Sequence, residues 1–189
     1  MIEFFELVED NPIIAAVKDD QGLRKCCELS EAGLVFVLYG SICSIKEIVE
    51  SLKGAGKKVA VDVDLITGLD TRGEVSADFI AGTGADAIIS TKQSVVKRAK
   101  ELGMITIFRV FVLDSLALQN IDRQLGLVKP DFLEILPGTM PKIIRLLCSR
   151  VKTPVIASGL ISDKEDVMAA LSGGAVAVSS TNQVVWELG

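Results

Sequence analysis

Apolar runs begin near Pro12, Leu34, Lys58, Ala87, Met104, Asp131, Pro154 and Ala175, and each is followed by a stretch with helical spacing or helix-start residues. Repeated strand–helix units of this kind imply parallel strands with helical crossovers, and eight of them favour closure over an open sheet. The pattern predicts an α/β fold, a compact TIM-type (β/α)8 barrel, with residues 1–189 as a single domain. Gly33, Gly56, Gly84, Gly103 and Gly174 fall just before apolar runs, where a helix C′ residue belongs. Ser44 with Glu47 and Ser162 with Glu165 have capping-box spacing, and Pro141 suits a first helical turn. Strand alternation puts Ala60, Asp62 and Asp64 on one face of the third strand and Val59, Val61 and Val63 on the other. In the eighth, Ala175, Ala177 and Ser179 oppose Val176 and Val178. The first set of each pair is assigned to the barrel interior, the second to the helix-covered exterior.

The last two strand ends, Pro154 to Gly159 and Ala175 to Thr181, finish in small residues, and a final helix is expected after the second. A phosphate needs several backbone N–H donors, and small side chains let it approach the backbone where the next helix offers its positive end. In eight-stranded barrels the phosphate site is frequently built from the loops after strands seven and eight.

At 189 residues the chain is shorter than the usual ~250 of such barrels, so loops must be short. Apolar residues make up 49 %, enough for a core, and no linker or low-complexity segment divides the chain. No stretch reaches the ~18 apolar residues of a membrane span, and the N-terminal residues lack a basic region, so a cytoplasmic protein without membrane contact is expected. Cys26, Cys27, Cys43 and Cys148 lack metal-type spacing and are expected as reduced, mostly helix-buried thiols. The absence of histidine excludes imidazole acid–base chemistry and histidine metal sites. No metal and no cofactor is expected.

A net charge of −5 suits a polyanion partner poorly overall, so any nucleic-acid contact requires a local basic patch. Lys92, Lys97, Arg98 and Lys100 on the fourth helix, and Lys142, Arg145, Arg150 and Lys152 around the sixth, are the candidates. Solvated outer faces of barrel helices are the commoner reason for such runs.

Function in a barrel lies at the C-terminal strand ends. Polar residues there are Lys18, Tyr39, Ser41, Asp62, Asp64, Ser90 with Thr91 and Lys92, Arg109, Glu134, Ser158, Ser179 and Ser180. For Asp62 and Arg109, ligand contact and internal ion pairing stand as equal alternatives; Asp64, Glu134 and Lys18 are assigned to the ligand.

Asp64-Leu65-Ile66-Thr67-Gly68-Leu69, Ile88 to Lys92, Arg109 to Ser115 and above all Pro130-Asp131-Phe132-Leu133-Glu134-Ile135-Leu136-Pro137-Gly138-Thr139-Met140-Pro141-Lys142 resemble the glycerol uptake operon antiterminator family of bacterial regulators. The resemblance continues through Pro154 to Ile161 and Ala177 to Thr181 with Trp186, and so covers essentially the whole chain. It implies a small barrel that binds glycerol 3-phosphate as effector and acts on the leader mRNA of a glycerol-utilisation operon to prevent termination. The chain departs from the expected pattern at Asp62, in place of a histidine, at Phe108, in place of a polar residue, and at Ser158, in place of a second glycine.

The implied ligand site puts the phosphate on N–H groups around Gly159 and Ser179, Ser180 and Thr181. Asp64 and Glu134 hold the glycerol hydroxyls, Lys18 or Arg109 bridges, and Pro137-Gly138 forms a loop over the mouth. Lys97, Arg98, Lys142 and Arg145 are the candidate RNA contacts. The rival is a phosphate-binding barrel enzyme of isomerase, epimerase or aldolase type, with Lys18 or Lys92 as Schiff-base amine or Asp64 and Glu134 as an acid–base pair. Short loops, the lack of histidine and the lack of a lysine within an apolar strand weigh against it. Phe4, Phe5 and Trp186 allow two arrangements: an apolar patch pairing two barrels as a homodimer, or packing of both ends onto the barrel.

Overall fold

A computed structural model of the chain describes residues 2–29 and 32–188. Eight parallel strands pair in chain order and close on themselves: β1 (Ile13–Val17), β2 (Leu34–Val37), β3 (Lys58–Asp62), β4 (Ala87–Ser90), β5 (Ile105–Phe111), β6 (Phe132–Leu136), β7 (Val155–Ser158) and β8 (Ala177–Ser180). A helix follows each of the first seven: α2 (Asp20–Glu28), α3 (Ile45–Gly54), α4 (Val75–Ala81), α5 (Gln93–Glu101), α6 (Ser115–Val128), α7 (Pro141–Arg150) and α8 (Lys164–Ser172). This is the predicted (β/α)8 barrel, with strand starts within two residues of the expected positions.

The helix expected after β8 is instead a single 3₁₀ turn, Val185–Leu188. The Asn182 side chain accepts the Val184 N–H at 3.1 Å and the Trp186 indole donates to the Ser180 carbonyl at 2.7 Å, which turns the chain back before a helix can propagate. An additional helix, α1 (Ile2–Asp10), precedes β1. Its Phe4 and Phe5 rings meet Phe132 with centroids 5.6 and 4.6 Å apart, closing the barrel floor. Trp186 is buried in the layer between strands and helices. Both aromatic ends therefore pack onto the barrel.

Strand alternation divides the core as elementary pleating requires. Ile14, Ala16, Phe36, Ala60, Ile89, Ile107, Phe132, Ile156 and Ala177 fill the interior, while Val59, Val61, Leu133, Ile135, Ala157 and Val178 pack beneath the helices. Three positions depart from the predicted parity. Ala175 packs in the outer layer and Val176 is 39 % exposed, because both precede β8 and its alternation starts only at Ala177. Asp64 lies on no strand; β3 ends at Asp62, whose carboxylate accepts the Asp64 N–H and starts the 3₁₀ turn Val63–Leu65.

Pro141 opens α7 as expected, and Gly56, Gly84, Gly103 and Gly174 have positive φ. Gly33 does not; a Cβ there would lie 2.8 Å from the Leu7 side chain of α1, so its smallness serves packing. Neither predicted capping box forms as drawn. Ser44 makes no cap bond, since its hydroxyl instead accepts the Ser41 N–H. The cap of α8 is Asp163, one residue later than expected, and Ser162 donates both N–H and hydroxyl to Asp166. The four cysteines are free thiols, but Cys43 is exposed in the turn before α3, contrary to the helix-buried expectation. Burial pushes the Cys26 thiol up to about 11. Among the described residues no helix is long and apolar enough to cross a membrane.

Candidate functional site at the barrel mouth

Above the apolar interior the inward positions turn polar, and these end a cavity of about 570 Å³ at the C-terminal face. Its floor carries Arg109 of β5, Glu134 of β6, and Ser158 and Ser179 of β7 and β8. Arg109 and Glu134 are register partners on adjacent strands, and so are Ser158 and Ser179. Register therefore sets both contacts directly: the Arg109 Nε and Nη2 donate to the two Glu134 carboxylate oxygens at 2.7 and 3.2 Å, and the two serine hydroxyls bond at 2.7 Å.

Arg109 also reaches across β4 to donate through Nη1 to Asp62. Asp62 and Glu134 are fully buried and Arg109 is 8 % exposed. One guanidinium thus faces two carboxylates. Burial pushes the Asp62 carboxyl up to about 7; Arg109 opposes that rise, while Glu134 and Asp64 add to it. For Arg109 burial works against the charge, but Glu134 and Asp62 more than offset it and hold the guanidinium firmly protonated. Three of its five N–H donors are committed to carboxylates, leaving two for other acceptors at the cavity floor.

The cradle side is made by the loops after β7 and β8. Gly159 at φ +76° and Leu160 at φ +63° form two successive left-handed residues, a conformation that turns adjacent N–H groups to one side. Among the described residues, no acceptor takes the N–H of Gly159, Leu160 or Thr181. The Ser180 hydroxyl holds the two loops together by donating to the Ile161 carbonyl at 2.7 Å while accepting the Asn182 N–H at 3.0 Å.

Of the residues singled out from sequence, Arg109, Glu134, Ser158, Gly159, Ser179, Ser180 and Thr181 line this cavity. Asp62 lies beneath it and contributes through Arg109. Asp64 is turned elsewhere: Ser90 and Thr91 donate to its carboxylate at 2.6–3.0 Å, with Lys92 Nζ 3.6 Å away. Burial would raise the Asp64 carboxyl, but the Thr91 and Ser90 bonds and Lys92 hold it below the usual range. Ser90 and Lys92 thereby serve the same cluster. Lys18 is exposed in a neighbouring groove that shares only Thr181 with the cavity.

Pro137 and Gly138 do not line the cavity, but the Gly138 N–H donates to the Gly159 carbonyl at 3.0 Å. A Cβ at Gly138 would sit 2.9 Å from the Ser158 nitrogen. The loop leading into α7 is therefore fastened to the back of the cradle. Sequence reasoning missed the apolar rim, Leu38, Leu65, Phe111, Leu136, Leu160 and Ile161. Leu65 takes the inward place because the 3₁₀ turn sends Asp64 towards Ser90 and Thr91. Among the described residues no group of three or more His, Cys, Asp or Glu could hold a metal.

A family model described as glycerol-3-phosphate responsive antiterminator matches residues 13–186. The chain belongs to that family. Its relatives include the uncharacterized protein YgcP of Escherichia coli K12, 44 % identical over 183 residues that make up 96 % of this chain and 95 % of YgcP. The glycerol uptake operon antiterminator regulatory protein of Listeria monocytogenes superposes with a TM-score of 0.90 at 31 % identity, covering 95 % of this chain and 97 % of its own. A glycerol uptake operon antiterminator-related protein of Thermotoga maritima gives 0.80 at 32 %, covering 93 % and 98 %. Aldolase barrels at 15 to 18 % identity share the fold alone. Membership of the antiterminator family agrees with the resemblance read from the Asp64, Pro137 and Ser179 segments.

Proposed function

We propose that this antiterminator family member senses glycerol 3-phosphate in the mouth cavity and, when liganded, acts on the leader mRNA of a glycerol-utilisation operon, as a cytoplasmic regulator that needs no cofactor. The carrying observation is the set of free N–H groups at Gly159, Leu160 and Thr181 beside the Ser158 and Ser179 hydroxyls, a donor-rich side of the cavity suited to a phosphate dianion, with the one lining carboxylate, Glu134, held by Arg109. The glycerol hydroxyls fall to the two remaining Arg109 donors and to Glu134. Asp64 and Lys18 are outside this arrangement, and Asp62 acts on it through Arg109.

The fastening of Gly138 to Gly159 supplies a path outward. A ligand that draws the Gly159 loop inward pulls on the segment that opens α7, whose first turns carry Lys142 and Arg145. A ligand can shift such an element only through differential contacts with its two positions. Hydrogen exchange at Thr139 to Ile144 with and without ligand tests this path; equal protection in both states would remove it.

Calorimetric titration with glycerol 3-phosphate, with glycerol and inorganic phosphate as controls, tests the sensor itself. Saturable binding of glycerol 3-phosphate with a Kd on the order of micromolar, and none of glycerol, is the expected result. Silence towards all three would refute it. We further propose that the cavity performs no Schiff-base chemistry, on the observation that none of its lining residues is lysine. Borohydride reduction in the presence of triose phosphate should leave the protein mass unchanged.

A further inference from the structure

The chain carries −5 overall, yet the stretch from Lys92, ahead of α5, to Lys152, ahead of β7, holds eleven Lys and Arg against five Asp and Glu. That third of the molecule is +6 and the rest is −11. Because helices follow their strands around the barrel, this stretch places α5, α6 and α7 side by side on one flank.

Ion pairing sharpens the asymmetry. Elsewhere most surface cations are matched: Lys25 with Glu187, Lys46 with Glu50, Lys53 and Lys58 with Asp86, Arg72 with Asp70. On the flank, Arg98 is taken by Asp78 and Glu101, and Arg150 by Asp122. Six others, Lys97, Arg123, Lys129, Lys142, Arg145 and Lys152, are exposed, and their side chains meet no carboxylate or other acceptor among the described residues. On α7 the buried positions Ile144 and Leu147 turn Lys142 and Arg145 outward together, and α6 turns Arg123 away from Ile121 and Leu125. Lys142 stands in the first turn of a helix with no acidic residue there and no side-chain cap, where a cation opposes the helix dipole. Its placement serves something other than helix stability.

We infer that the outer face of α5, α6 and α7 is the RNA-docking surface of this protein, with Lys97, Arg123, Lys142 and Arg145 at its centre. The inference rests on the RNA arm of the proposed function and names the surface that carries it. Free cations on neighbouring helices suit a polyphosphate backbone, whereas the −11 remainder repels one and so orients the complex. The three helices carry no aromatic residue, so the face offers no stacking platform and contacts phosphates rather than bases. Affinity at this face is therefore steeply salt-dependent. Lys142 and Arg145 also sit at the start of α7, directly after the loop fastened to the ligand cradle.

The test compares two triple charge reversals of identical net-charge change: Lys97→Glu, Arg123→Glu, Arg145→Glu on the flank, and Arg24→Glu, Lys46→Glu, Lys164→Glu on α2, α3 and α8. The probe is a random-sequence 30-nucleotide single-stranded RNA, titrated across salt with and without glycerol 3-phosphate. The flank variant should bind at least tenfold more weakly at low salt, with the slope of log affinity against log salt reduced by about two, at roughly 0.7 per lost contact. The control variant should stay within about threefold of the parent. Equal losses in both would show that charge rather than place matters, and would overturn the surface. RNA binding by the parent that the flank variant retains would overturn the surface and leave the RNA reading intact. A parent that holds no RNA even at low salt would remove the RNA reading and the surface with it. Melting temperatures monitor folding; should the flank triple fail to fold, Lys97→Glu and Arg145→Glu singly read the same contrast at about threefold each.

Discussion

Arg109 is the residue on which the mouth depends, because its guanidinium is shared by two buried carboxylates, Asp62 and Glu134. Removing it strands both, and loss of one partner from a buried charge network costs about 3–5 kcal/mol. Urea denaturation of Arg109→Leu should show a loss of that size at pH 8 and a smaller one at pH 5, where protonation relieves the stranded acids. Asp62 makes a separate prediction. Its folded-state value of about 7 lies above the ordinary 3.8, so the folded chain binds this proton more tightly than the unfolded chain does. Its stabilising contribution is complete below about pH 4 and is lost as pH rises through about 7. Asp62→Asn should flatten the decline in stability between pH 4 and 7, read as melting temperature against pH in parent and variant. An unchanged slope would mean that Asp62 is ionised throughout that range.

Among the elements, the β6–α7 loop and the β7–α8 loop behave as one unit through the Gly138 to Gly159 hydrogen bond. Gly138→Ala would drive a methyl to 2.9 Å from the Ser158 nitrogen and 3.0 Å from the Ala157 carbonyl carbon, both backbone atoms that cannot swing aside. The expected outcome is a destabilisation of about 1–3 kcal/mol, together with weaker glycerol 3-phosphate binding in calorimetry because the cradle is displaced. Gly159→Ala tests the same unit differently: at φ +76° with Leu136 3.2 Å away, the penalty is backbone strain plus a contact a flexible leucine can relieve. It should therefore cost less stability than Gly138→Ala.

For the whole molecule, the barrel separates an apolar floor that holds it together from a polar mouth where ligand binding is proposed. Phe4 and Phe5 of α1 cover the floor against Phe132, far from the cavity across the apolar interior. Phe4→Ala should lower stability by about 3–5 kcal/mol and leave ligand affinity unchanged in the still-folded protein, as separate denaturation and calorimetry would show. Charge is divided too, with the stretch from Lys92 to Lys152 at +6 and the rest of the chain at −11.

Hydrophobic periodicity by itself determined the eight strands and the closed barrel, because each run must bury one face against its neighbours and another beneath a helix, and these demands are written locally in residue order. It also marked Ser158, Gly159 and Ser179 to Thr181 as small-residue strand ends, which line the mouth cavity, since a run of small residues is a property of each strand end alone. Tertiary structure decided which polar groups meet. Asp62, Arg109 and Glu134 come from three strands, and whether a buried charge faces a ligand or another charge depends on register and reach across the barrel, which residue order does not encode. Asp64 shows the same limit, because a 3₁₀ turn after β3 gave its carboxylate to Ser90 and Thr91 and turned Leu65 into the cavity instead. The basic residues of α5 to α7 were visible as a sequence run, but only the pattern of ion pairs formed in the fold separated those already satisfied from those left open to a partner.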